Sequence, residues 1–147
     1  EKPDPAARRL LLERFMQPLS LQEAELKLVE WATEGMSGAD IEMLVEAGKR
    51  HLVIHGRGSR VDKKNTSRRG ALVLESLRRQ AMLNARLFSG DRGRLLSGQS
   101  VALESVLERA GMTQSEIGAV QGVSQSAISR RRHGPSAKVS SKRKQER

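Results

Sequence analysis

Cysteine and tyrosine are absent from this sequence, and only three aromatic residues occur: Phe15, Trp31 and Phe88. Without cysteine there is no disulfide framework and no thiolate zinc site, which fits an intracellular protein, placed by expectation in the cytoplasm. A stacking platform for RNA or single strands needs aromatics beside positive charge, and none of the three lies in a basic cluster. Duplex DNA is therefore the better nucleic-acid candidate. No apolar run approaches membrane-spanning length and no signal peptide opens the chain, so no membrane partner is expected. Catalytic groups are scarce too. Glu23 and Glu25, like Asp40 and Glu42, stand two apart and fall on different helix faces, and no nucleophile and base stand out as a set. No catalytic residue is assigned. His51 and His55 have the four-residue spacing that can bind metal, but no further ligand accompanies them in a recognisable pattern, so no metal site is expected. His133 reads as a solvated helix end.

What is present is basic charge, placed unevenly. Residues 1–55 carry 7 Lys/Arg against 10 Asp/Glu, whereas residues 56–147 carry 20 against 7. A polyanion would bind the second stretch, and the contrast suggests two modules.

Every periodic segment predicts helix. Asp4 is a good N-cap and Pro5 a good first helical residue, with Leu10, Leu11, Phe15 and Met16 as the stripe up to Pro18. Ser20 and Glu23 form a capping box before Leu21, Leu28, Trp31 and Ala32, and Gly35 ends that helix. Ser37 and Asp40 form another box, followed by Ile41, Leu44, Val45, Gly48 and Leu52. Three capped amphipathic helices make a small bundle over 1–55.

This bundle resembles the C-terminal helical lid of AAA+ ATPases. The residues that carry the likeness are Pro3-Asp4-Pro5-Ala6-Ala7-Arg8, the Leu/Phe stripe and the string TEGMSGADIE from Thr33 to Glu42. They look most like the classic branch of the family, which includes membrane-bound cell-division metalloproteases and microtubule-severing enzymes. The resemblance implies that Gly38 and Ala39 lie near the adenine and ribose of a bound nucleotide. A tight helix start that needs small side chains accounts for the same two residues without a ligand. No G-x-x-x-x-G-K-[ST] occurs and no apolar strand ends in Asp-Glu, so the phosphate cradle and the magnesium ligands are missing. The chain alone should hold no cofactor and hydrolyse no ATP. The resemblance implies that ATP and magnesium belong to an α/β core of the same polypeptide upstream of Glu1, in a parent that is an ATPase and a homo-oligomer.

Residues 56–70, GRGSRVDKKNTSRRG, lack periodicity and read as a basic linker that leaves the modules on either side free to move independently. Ala71 to Phe88 predicts a helix with Leu74, Leu77, Ala81, Ala85 and Phe88 on one face. A turn-rich connection follows, with a short helical piece at Arg92 to Leu96, and then a helix from Val101 to Ala110 with Leu103, Val106, Leu107 and Ala110 inward and Gly111 ending it. From Pro135 the sequence is Ser, Lys and Arg with one apolar residue, Val139, and predicts a disordered basic tail over 135–147.

The stretch from Gly111 to Gly134, GMTQSEIGAVQGVSQSAISRRRHG, carries the functional reading. Thr113 and Glu116 form a capping box for a helix whose inner face is Ile117 and Val120, with Gly118 allowing close approach. Gly122 can turn the chain, Val123 plugs the corner, and Ser124 caps a second helix from Gln125 to about Arg132 with Ala127 and Ile128 inward. The segment resembles the DNA-binding helix-turn-helix. That resemblance places the second helix in the major groove and makes Ser124, Gln125, Ser126, Ser129 and Arg130 base-edge or phosphate contacts, with Arg131 and Arg132 beside the backbone. Gln suits adenine, Arg suits guanine, and Ser suits several edges or phosphate.

The expected architecture is all-α: an AAA+ lid over 1–55, a linker over 56–70, a helix-turn-helix domain over 71–134 and the tail. The expected role is to localise an AAA+ ATPase on duplex DNA. The alternative is that the basic helical domain is a protein adaptor for a remodelling ATPase.

Overall fold

The computed structural model describes the backbone of residues 2–55, 63–98 and 100–121, and the side chains of 2–55, 69–98 and 101–121. Among these residues there are seven α-helices and no strand. The helices are α1 (Pro5–Met16), α2 (Glu23–Ala32), α3 (Gly38–His55), α4 (Lys63–Leu83), α5 (Arg92–Ser97), α6 (Ser100–Arg109) and α7 (Gln114–Gln121), with a 3-10 turn at Ala85–Leu87 after α4. No helix among the described residues is long and apolar enough to cross a membrane.

Local chemistry sets most of the helix starts. The Asp4 carboxylate accepts from the Ala7 N–H at 2.8 Å, and Pro5 follows at the first helical position, where its missing N–H costs nothing. At the other end of α1 the Lys49 ammonium donates to the Phe15 and Gln17 carbonyls at 2.8 and 2.9 Å, meeting acceptors that the helix end leaves without partners. The Ser37 and Asp40 box forms as expected: Asp40 N–H donates to Ser37 Oγ at 3.2 Å and Ser37 N–H to Asp40 Oδ2 at 3.4 Å. Gly35, at φ +84°, makes the turn before it.

Five details differ from the sequence expectation, the simplest being that α6 ends at Arg109 and Ala110, expected inward, is exposed. In α1 the buried stripe is Arg8, Leu12 and Met16, with Leu11 and Phe15 partly covered and Leu10 67 % exposed. Three consecutive leucines leave the helical phase open, and packing selects the last of them. The α2 helix begins at Glu23, and the carboxylate that reaches back is Glu25, which accepts from Gln22 N–H at 2.8 Å. Ser20 lies in the connection, where its carbonyl accepts from Arg69. The α4 helix starts at Lys63, inside the stretch read as linker, because nothing from Lys63 to Arg69 breaks a helix. It also stops at Leu83 rather than reaching Phe88; Phe88 is buried after the 3-10 turn, whereas Ala85 is exposed.

The helices on either side of 56–62 are in contact rather than separate. One apolar cluster runs from Leu12, Leu28 and Ile41 of the first three helices through Leu74 and Leu77 of α4 to Leu103, Leu107, Ile117 and Val120. The α4 helix is the centre of this arrangement and packs on α2, α3, α5 and α7. Residues 56–70 carry almost nothing apolar, but the free faces of α2, α3 and α4 do, and burying those faces outweighs the freedom of the connection.

The tightest joint is at Gly70. A Cβ there would lie 2.3 Å from the Ala119 carbonyl oxygen and 3.0 Å from the Val120 Cα, which are backbone atoms that cannot swing aside. The expected outcome is that Gly70→Ala destabilises the chain by about 1–3 kcal/mol despite alanine's better helix propensity. Gly48→Ala should be tolerated, since its Cβ would meet only Ser76 Oγ at an ordinary 3.6 Å. Urea unfolding of the two variants checks the contrast, and equal midpoints would refute the joint.

Candidate nucleic-acid interface and lid site

The helix expected to come first in the segment from Gly111 to Gly134 is α7, and its start is as the sequence predicts. Thr113 N–H donates to Glu116 Oε1 at 3.0 Å, and Glu116 N–H donates to Thr113 Oγ1 at 3.2 Å. Ahead of it, Gly111 at φ +105° closes α6, with Met112 N–H donating to the Leu107 carbonyl at 3.0 Å and the Met112 side chain buried. Ile117, Gly118 and Val120 are buried. The second helix expected to approach Gly118 lies outside the described residues; the close backbone approach that the structure gives α7 comes from Gly70 of α4.

Glu116 has a second role. Its carboxylate receives the Lys27 ammonium of α2, with Nζ to Oε2 at 2.9 Å. Burial pushes this carboxyl up, but the Thr113 N–H and the Lys27 ammonium outweigh it and hold the group below the ordinary glutamate value. A neighbouring link joins α2 to α4: Arg69 Nε lies 3.7 Å from the buried Glu25 carboxylate. For Glu25 burial dominates and its carboxyl is pushed up, against the opposing pull of the Gln22 N–H and Arg69. The Lys27 pair and the packing on α4 hold α7 against two other helices as far as Gln121. Ser124, Gln125, Ser126, Ser129, Arg130, Arg131 and Arg132, like Gly122 and the tail, lie outside the described residues.

At the start of α3, Ala39 is exposed, and a Cβ built on Gly38 would meet nothing within 4 Å among the described residues. Gly35 contrasts with this: its φ is positive and an added Cβ would lie 2.9 Å from Ser89 Oγ.

His51 and His55 do come together, with ring centroids 4.4 Å apart. Among the described residues no group of three or more His, Cys, Asp or Glu is placed to hold a metal ion. Sequence reasoning missed Lys27, Arg69 and Arg92. Arg92 reaches back from α5, donating to the Trp31 carbonyl at 2.7 Å, lying 5.6 Å above the Trp31 ring and pairing with Glu34. A lone basic residue near a turn carries no signal of such a long-range partner.

Two outcomes are expected. Gly38→Ala should leave the melting temperature of this chain unchanged or slightly raised, since the unfolded state loses freedom and no contact is lost. Thr113→Ala should cost about 1 kcal/mol by removing the α7 cap. Because the Glu116 carboxyl is depressed in the folded state, its contribution is present above the unfolded glutamate value and is lost as pH falls through the folded one. Glu116→Gln should therefore flatten the acid limb of the stability curve, measured by urea unfolding between pH 3 and pH 7.

No family model, curated protein or solved structure matches the chain, and the functional reading is carried by its own residues.

Proposed function

We propose that this chain is the C-terminal region of an AAA+ ATPase, with residues 1–55 as the helical lid and a helix-turn-helix within 71–134 that holds the ATPase on duplex DNA in the cytoplasm. The single observation that carries the DNA reading is the cap and burial of α7. Its reciprocal Thr113 and Glu116 bonds, buried Ile117 and Val120 and fixed seat on α4 are what the first helix of such a motif needs in order to aim a second. Overall charge supports the same reading, because the chain is net +10 with the excess in its second stretch. The lid reading draws support from Gly38, where a Cβ would meet nothing within 4 Å among the described residues, leaving room for a ligand. ATP and magnesium would be held by the upstream core of the same polypeptide, and the working parent would be a homo-oligomer.

On this reading the appended helices do more than tether. The lid helices α2 and α3 share their core with α4 and α7, so a nucleotide-driven movement of the lid would carry α7 with it.

DNA binding by Gln125→Ala, Arg130→Ala and Arg131→Ala proteins, measured on a selected site and on random duplex at several salt concentrations, tests the proposal. Loss of Gln125 or Arg130 should cost about 1–3 kcal/mol on the selected site and little elsewhere. Loss of Arg131 should weaken both duplexes alike and flatten the salt slope by about one unit. If all three variants bind both duplexes like the parent, the segment does not read DNA and a protein adaptor takes its place. The 147-residue chain should also show no ATP turnover above a buffer blank, and measurable turnover would remove the lid reading.

A further inference from the structure

Between the second half of α3 and the second half of α4 lies a cleft of about 340 Å³ that neither the lid nor the DNA reading uses. Arg50, His51 and His55 line it from α3, and Ser76, Arg79 and Gln80 from α4. Two arginines on facing helices carry one sign of charge into one recess, beside two histidines that add to it only when protonated. Arg50 and Arg79 are exposed and form no ion pair with a carboxylate among the described residues, whereas His51 is only 8 % exposed. Its buried Nε2 makes no hydrogen bond, and the nearest acid is Glu75 at 4.0 Å, a side chain that is itself mostly in solvent. An imidazole nitrogen held out of water without a partner costs free energy unless something accepts its proton.

We propose that this cleft is a binding site for a small doubly charged oxyanion, of the phosphate monoester or sulfate class. Arginine guanidinium groups present planar pairs of N–H donors that suit such oxygens, and the histidines add donors that strengthen when protonated. A metal ion fits less well, because two guanidinium groups repel it and, among the described residues, no three ligands converge. The groups facing His51 are His55 on its own helix and Glu75 and Arg79 from α4. Burial holds the His51 imidazolium below the ordinary histidine value, then His55 and Arg79 lower it further, with Glu75 pulling the other way. A bound dianion offsets that repulsion, so binding takes up a proton and tightens as pH falls.

Sulfate is the probe, because it stays doubly charged across the histidine range. Titration of the full chain at constant ionic strength, followed by the side-chain resonances of His51 and His55, should show one saturable site. Affinity should be up to about tenfold higher at pH 5.5 than at pH 8. Arg50→Ala or Arg79→Ala should weaken binding about tenfold, while Arg109→Ala, on the exposed face of α6, should leave it unchanged. Glu75→Gln removes a competing negative charge from the rim and should tighten sulfate about two- to threefold; it also keeps the test decisive if an arginine variant misfolds. Inorganic phosphate at pH 8 should displace sulfate. Shifts that never saturate, that chloride reproduces, or that persist undiminished in Arg79→Ala would overturn the proposal. So would zinc binding abolished by Glu75→Gln, which would mark a metal site. A short duplex without terminal phosphates that moves these resonances when sulfate does not would assign the cleft to the DNA backbone and overturn it too.

Discussion

The absence of a side chain at Gly70 is the constraint on which the joined structure depends. With it, α4 comes within backbone contact of α7 at Ala119 and Val120, and the apolar sides of Ile117 and Val120 close against the rest of the core. Any Cβ at that position would push the helices apart. Interiors pack as densely as organic crystals, so such a gap would cost contacts along the whole interface and not at one residue. The same approach brings Arg69, the preceding residue, beside Glu25 and the Ser20 carbonyl on the α2 side.

Polar links then fix how the acidic first stretch meets the basic second one. Lys27 with Glu116, Arg69 with Glu25 and Arg92 with Glu34 each pair a residue of 1–55 with one beyond it. Half-exposed pairs add little net stability, since solvent screens them and long side chains lose freedom. Their effect is on register. Glu25 is nearly fully buried and its carboxylate is costly to leave uncompensated, so a packing that separated it from Arg69 and the Gln22 N–H would be penalised. Arg92 adds a mechanical detail at the other end of α2: one guanidinium meets the Trp31 carbonyl, its ring face and Glu34, and so pins the turn before α5 to α2.

How much of this was legible in the sequence follows from the range of each interaction. Caps are local, so Asp4 with Ala7, Ser37 with Asp40 and Thr113 with Glu116 could be read from three-residue spacings, and the helices that start behind them were placed within a residue or two. The glycine turns at Gly35 and Gly111 were legible for the same reason. Spacing does not always decide: the box expected at Ser20 and Glu23 gives way to Gln22 N–H donating to Glu25, a carboxylate that also lies beside Arg69. The phase of α1 failed alike, since Leu10, Leu11 and Leu12 are equally apolar and only the surrounding helices distinguish them. The contact between the two helical groups was not legible, because Gly70 in a run of Gly, Ser and Arg looks like a linker residue until a second backbone is seen against it. The lid and groove-facing roles rest on family likeness, which packing does not touch.

The continuity of the core bears on what a motor could do with these helices. A hinge needs a place where few buried contacts cross, and none separates α3 from α4 or α4 from α7: Leu44 and Val45 share the core with Val73 and Leu77, which share it with Ile117 and Val120. A displacement applied at the start of α3 therefore passes along that helix into α4 and reaches α7 as a rigid-body movement, not as local bending. On the proposed reading, nucleotide state at the lid and orientation of the DNA-facing segment are one degree of freedom. A softer joint would let the DNA-facing helices idle while the lid cycled.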